Sequence, residues 1–234
     1  MLFAAIDKTG VRPLLALGLL AAGLSGCALR PAPDTFDLSA QPVVTFESQK
    51  ALRSQLLVPT PSAIQVLNNR GIVLKELGNF SEALEDFNKA LNLKPDDFEL
   101  LNNRGIVLTK LNSSRKALAD FNKAISLNPD NTYVYNNRGN ALKSLHKFDE
   151  ALDDYNKALS LKPDNFEAQN NKGVVLHELL YFKEALSDFN RAIYLKPNYA
   201  DAFNNLGNTL KQVQRFEDAL NAYNKAISLN PNYA

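Results

Sequence analysis

The sequence predicts an all-α solenoid built from five tandem 34-residue helix–turn–helix units. Asn68-Asn69-Arg70-Gly71 returns at steps of 34 residues, at Asn102 to Gly105, Asn136 to Gly139, Asn170 to Gly173 and Asn204 to Gly207, with Lys172 and Leu206 in the arginine slot. With Ile64 as position 1, position 8 is always Gly, positions 20 and 27 are always Ala, position 24 is always Phe or Tyr, and position 32 is always Pro. Between these fixed points, apolar residues recur twice per unit at i, i+3, i+4, i+7, the spacing of one helix face. The units are 64–97, 98–131, 132–165, 166–199 and 200–233.

The segments ahead of the repeats have a different character, since Asn is absent from residues 1–67 and abundant beyond them. Met1 to Arg12 carries two basic residues, and Pro13 to Leu24 is an apolar run. A run of that length is too short to cross a hydrocarbon core of roughly 30 Å and instead reads as the core of a secretory signal. It ends in Leu24-Ser25-Gly26-Cys27, which resembles the lipobox of bacterial lipoproteins, where the chain is cut before the cysteine. That resemblance implies a signal peptide over 1–26, acylation of Cys27 and, with Ala28 rather than Asp after it, a bacterial outer membrane location on the periplasmic side. Several acyl chains make a stable anchor, each buried CH₂ adding ~0.8 kcal/mol. Residues 27–60 then read as a proline-containing tether, and 61–234 as the repeat domain. Pro31 to Ala40 and Ser54 to Leu67 are also similar to the opening of auxiliary lipoproteins of lipid-moving ABC transporters. Those proteins continue into an α/β domain, whereas repeats follow here.

The repeat pattern itself, with small residues at 8 and 20, an aromatic at 24 and Pro at 32, resembles the tetratricopeptide repeat over about 170 of the 234 residues. The resemblance implies a right-handed superhelix whose first helices (helix A of each unit) line a concave groove with positions 2, 5, 6, 9 and 12. Position 6 is Asn throughout: Asn69, Asn103, Asn137, Asn171 and Asn205. An Asn side chain carries both a donor and an acceptor, so a row of them can pair with successive peptide units of an extended ligand, similar to the asparagine ladder of O-GlcNAc transferase. Position 12 adds Lys75, Lys143, His177 and Lys211, opposite acids at position 2. The carboxylate clamp of chaperone-binding members fits poorly, because every copy has Asn at position 5 where the clamp needs Lys. Replacing Asn103, Asn137 and Asn171 together by Ala is expected to abolish partner capture with melting nearly unchanged.

Other positions read as structural. The five glycines at position 8 imply a close approach, expected against the Ala at position 20. Asp96, Asp130, Asp164 and Asn198, which follow the prolines, are expected to cap the next helix A, with Asp96–Glu99 and Asp164–Glu167 at capping-box spacing. A calcium loop is the alternative for these turns, and EF-hand ligand spacing is absent. Position 7 is basic (Arg70, Arg104, Arg138, Lys172) and position 23 acidic (Asp86, Asp120, Asp154, Asp188) in four units; both are lost in the fifth, to Leu206 and Ala222. This joint loss predicts an ion pair within each unit, joining helix A to the second helix, helix B.

Composition narrows the function. Lys plus Arg is 26 and Asp plus Glu is 25, so the basic field that nucleic acid requires is missing. The single cysteine allows no disulfide framework. His146, in an inter-helix turn, and His177 lack metalloprotease spacing, and no phosphate loop accompanies them. No catalytic, metal or cofactor site is expected. The reading is a non-catalytic, membrane-anchored adaptor for a protein or peptide partner. The alternatives are an auxiliary lipoprotein of a lipid-transport ABC system and the repeat arm of a larger enzyme. The sequence stops at Tyr233-Ala234, where a sixth helix A would begin. A terminal repeat needs a polar cap, so Tyr223 and Ile227 near that end predict a fragment, or an end covered by a partner or a second copy.

Overall fold

In a computed structural model of the chain, residues 62–231 are described. The chain divides into two units, Met1–Leu57 and Val58–Ala234, and all described residues belong to the second. They form ten helices and no strand: α1 Ala63–Glu76, α2 Phe80–Leu93, α3 Phe98–Lys110, α4 Ser114–Leu127, α5 Thr132–Ser144, α6 Phe148–Leu161, α7 Phe166–Glu178, α8 Phe182–Leu195, α9 Ala200–Gln212 and α10 Phe216–Leu229. Odd-numbered helices are the A helices and even-numbered ones the B helices of the five units. The array is an all-α solenoid, each helix packing on its sequence neighbours. The signal, the lipidated Cys27 and the tether expected before residue 61 lie outside the described residues.

The turn inside each unit closes in one way. Position 15 takes a left-handed conformation in every copy: Gly78 (φ 79), Asn112 (φ 56), His146 (φ 57), Leu180 (φ 64) and Gln214 (φ 60). The next amide then reaches back five residues, as from Asn79 N to Leu74 O at 2.8 Å and from Tyr181 N to Leu176 O at 2.8 Å. This is the longer bond of a Schellman motif, which satisfies carbonyls the helix end would leave bare.

The turn between units differs from the expectation by one residue. Pro95-Asp96 and Pro129-Asp130 occupy the turn itself, so the cap falls on position 34. Asp97 Oδ1 accepts from the Glu99 and Leu100 amides at 3.1 and 3.2 Å. Asn131 Oδ1 accepts from Tyr133 and Val134, and Asn165 Oδ1 from Ala168. Asp96 is not a cap. It pairs across the units with Lys123, Nζ to Oδ1 at 2.7 Å, while the same ammonium donates to Pro95 O at 2.9 Å.

The close approach of helices A and B also uses a different partner from the one expected. A Cβ placed on Gly105 would stand 2.6 Å from Phe121 Cε1, and one on Gly139 would stand 2.7 Å from Tyr155 Cε1. The ring at position 24, not the Ala at position 20, lies against the glycine. Phe87, Phe121 and Tyr155 are fully buried, so the missing methyl is space that the ring fills. That explains a residue which otherwise costs about 1 kcal/mol in a helix interior.

Candidate functional site

Successive A helices touch one another along the array, and among the described residues successive B helices do not. The A helices therefore line the inner side of the stack. Their exposed residues are the candidate site.

The ion pairs fix how each A helix presents that face. Arg70 Nε and Nη2 donate to the two Asp86 oxygens, both at 2.6 Å. Arg104 does the same to Asp120 at 2.8 and 2.7 Å, and Arg138 to Asp154 at 2.7 and 2.6 Å. A planar fork on a carboxylate fixes orientation as well as charge. Hydrogen bonding from Arg70 holds the Asp86 carboxyl below its ordinary range. In the fourth unit Lys172 Nζ lies 3.3 Å from Asp188 Oδ2 and cannot supply two parallel bonds. Gln169 Nε2 supplies the second, to Asp188 Oδ1 at 2.6 Å. Burial raises the pKa of Asp188, with Lys172 and Gln169 opposing it. In the fifth unit Leu206 and Ala222 fill the space as buried apolar residues. All eight ion-pair positions thus tie A to B inside a unit. Gln169 is the partner the sequence reasoning missed. Its signal is a Gln at position 4 only where position 7 is Lys.

The asparagines do not stand alone on the groove. Asn103 Nδ2 donates to Asn68 Oδ1 at 3.1 Å, Asn137 to Asn102 at 2.9 Å, Asn171 to Asn136 at 3.1 Å and Asn205 to Asn170 at 3.0 Å. Four of the five position-6 amides therefore use one N–H to join the preceding unit at its position 5. The expectation that the triple Ala variant would melt unchanged needs correction, because three inter-unit bonds vanish with those side chains.

Two hollows lie along this row. One of about 460 Å³ is lined by Thr109, Lys110, Asn137, Asn140, Lys143 and Asn171, among others. Burial there lowers the Lys143 pKa. The other, about 410 Å³, is lined by Asn68, Glu99, Asn102, Asn103 and Tyr133 with apolar neighbours. Acid and base thus sit in separate hollows, with position-6 asparagines in both. Lys75 Nζ is held by Glu76 Oε1 at 3.1 Å. His177 and Lys211 line a third, smaller hollow with Asn205 and Asn208. The buried Thr209 donates its hydroxyl proton to Asn205 O at 2.9 Å. His177 Nδ1 lies 2.9 Å from the Thr209 hydroxyl oxygen and must then be the donor to it. His146 is exposed in its turn, edge-on to Phe148. No cluster of His, Cys, Asp and Glu suited to a metal occurs among the described residues. None of their helices is long and apolar enough to cross a membrane.

The comparisons agree with this architecture. The tetratricopeptide repeat family matches residues 64–97, 98–131, 132–165 and 200–233 with one profile and 166–199 with a second. No curated protein matches the chain. Among solved structures, the thermophilic TPR protein TTC0263 of Thermus thermophilus superposes with a TM-score of 0.68 at 22% identity, over 73% of this chain and 93% of that one. PilF of Pseudomonas aeruginosa gives 0.65 at 20% identity, over 72% and 77%. YrrB, described as a TPR protein with an unusual peptide-binding site, gives 0.54 at 27% identity, over 79% and 93%. With five matched units spanning most of its length, the chain belongs to the tetratricopeptide repeat family.

Proposed function

We propose that the protein is a non-catalytic adaptor whose A-helix face binds an extended segment of a partner protein, and that Cys27 anchors it by lipid in the bacterial envelope, on the periplasmic side of the outer membrane. The observation that carries the groove is the Asn row. Four of the five position-6 side chains, from Asn103 to Asn205, are held by a neighbour at about 3 Å, and each amide retains an acceptor oxygen and a second N–H, the complement of a peptide unit. Prior fixing of those side chains reduces the ordering cost of binding. The hollows holding Glu99 and Lys143 favour a segment with charges of both signs. The peptide-binding site ascribed to YrrB supports this reading by analogy. The open outer face of α10 suits self-association as a second surface. The anchor rests on the lipobox-like Leu24 to Cys27 alone.

The groove is tested by two matched triple variants. Asn103, Asn137 and Asn171 to Ala removes both the inter-unit bonds and the groove acceptors. Asn68, Asn102 and Asn136 to Ala removes the same bonds from their acceptor side. Capture of an envelope partner should fail in the first and be only weakened in the second, where Asn68 and Asn102 also line a hollow. Equal capture by both would refute peptide reading by the Asn row. Cys27→Ser should release the protein from membranes or leave it unprocessed; a membrane-bound mature chain beginning at another residue would sink the anchor.

A further inference from the structure

The two ends of the described array carry faces that match each other. At internal junctions, positions 3 and 10 of helix A are covered by the preceding helix B: Leu100, Val107, Val134 and Val175 are 0–1% exposed. Their equivalents on α1, Val66 and Val73, are 50% and 57% exposed, and Leu77 one turn further is exposed too. Position 21 of helix B is packed into a core cluster wherever a helix A follows, as with Leu118, Leu152 and Leu186. On α10 its equivalent Leu220 is 61% exposed, with Phe216 and Ile227 open beside it.

The polar groups left over at the two ends also correspond. Each internal junction carries an Asn-to-Asn bond from position 6 to position 5 of the preceding unit. Asn69 on α1 and Asn204 on α9 are the position-6 and position-5 residues without that bond among the described residues. Two junctions add an arginine bond backwards, Arg104 Nη1 to Asn88 Oδ1 at 3.0 Å and Arg138 Nη1 to Asn122 Oδ1 at 2.7 Å. Arg70 has the same fork on Asp86 but is 62% exposed, with no such bond from Nη1 among the described residues. The residue at the Asn88 and Asn122 position in the fifth unit is Asn224.

We propose that the protein self-assembles head to tail, the outer face of α10 of one copy seating on α1 of the next and repeating the internal B-on-A junction. This deepens the self-association reading of the α10 face and is independent of the groove. The occupant is a second copy because the two faces would join through a junction the chain already forms four times, apolar residue on apolar residue and Asn on Asn. Such a contact uses different surfaces on the two partners and does not close by two-fold symmetry. It generates an open series of oligomers.

The test follows sedimentation of the full chain in mild detergent over a concentration series, with two charge variants at exposed positions, Val73→Arg on the first face and Leu220→Arg on the last. Wild type should form a ladder of oligomers that lengthens with concentration. Each variant alone should be monomeric with unchanged helicity. Mixed in equal amounts the variants should form dimers and nothing longer, because one intact α10 face then meets one intact α1 face. A monomeric wild type at high concentration would overturn the proposal, whether the faces are bare or covered by the chain's own residues 1–61. Dimers of Val73→Arg that vanish in Leu220→Arg would also overturn it, while sparing self-association through α10 against α10.

Discussion

Gln169 Nε2 stands 2.6 Å from Asp188 Oδ1 and supplies the hydrogen bond that a guanidinium supplies in the three preceding units. Lys172 provides charge to the same carboxylate but only a single point of contact, at 3.3 Å. Two differences, at positions 4 and 7, thus give this buried acid one hydrogen bond and one ion pair, while Oδ2 accepts no hydrogen bond. In the fifth unit the acid is gone and no such donor is required. One architectural link is met by an arginine fork, by a lysine and glutamine, and by apolar packing.

The arginine form should be asymmetric to mutation. The side chain of Asp120 is 8% exposed and that of Arg104 is 26% exposed. Arg104→Ala strands a buried carboxylate and should cost about 3–5 kcal/mol. Asp120→Ala leaves a cation with a route to water and with Asn88 as acceptor, and should cost clearly less. The double change Arg104→Ala with Asp120→Ala should cost less than the sum. Chemical denaturation of the four proteins checks this, and simple additivity would refute the coupling.

The Asp86 and Asp188 pairs should respond to pH with opposite sign. Arg70 lowers the folded pKa of Asp86 below 3.8. Its stabilisation is therefore complete above the unfolded value and lost as pH falls through the folded one. Burial raises Asp188 above 3.8, so its contribution is greatest below the unfolded value and is lost as pH rises through the folded one. Relative to wild type, Asp188→Asn should become more favourable from pH 3 to pH 7, and Asp86→Asn less so. Melting temperatures of the three proteins across that range decide the matter; slopes of the same sign would refute the assignment.

Gly105→Ala should destabilise although alanine is the better helix former. Propensity favours the change by about 1 kcal/mol. The new methyl, however, would meet the buried Phe121 ring at 2.6 Å, and overpacking costs about 1–3 kcal/mol. A lower melting temperature is expected, and a higher one would mean that the ring moves aside freely.

Leu180→Gly should stabilise. Leu180 has φ 64, a conformation that costs a residue with a Cβ roughly 1–2 kcal/mol. Its side chain is 70% exposed, so little packing is lost in exchange. The first unit already has glycine at this position, Gly78. Thermal melting should rise; a fall would show that the leucine side chain contributes more than its exposure indicates.

The sequence by itself determined the repeat, its length, its helices and the intra-unit ion pairs, because each leaves a periodic mark and five copies act as an internal alignment. Arg and Asp vanish together at 206 and 222, which betrays a direct contact without any coordinates. Tertiary structure decided what periodicity does not carry. Position 8 recurs at the same interval from Ala at 20 and from the ring at 24, and only packing selects the ring. The cap moved from Asp96 to Asp97 because the proline turn occupies two residues, a matter of dihedral angles. The Asn row read as five separate groove residues, yet Asn137 reaches Asn102 only once neighbouring helices are stacked. Val66, Val73 and Leu220 occupy positions that are buried in other copies. Their exposure follows from having no neighbouring helix among the described residues, which is a property of place in the stack and not of residue type.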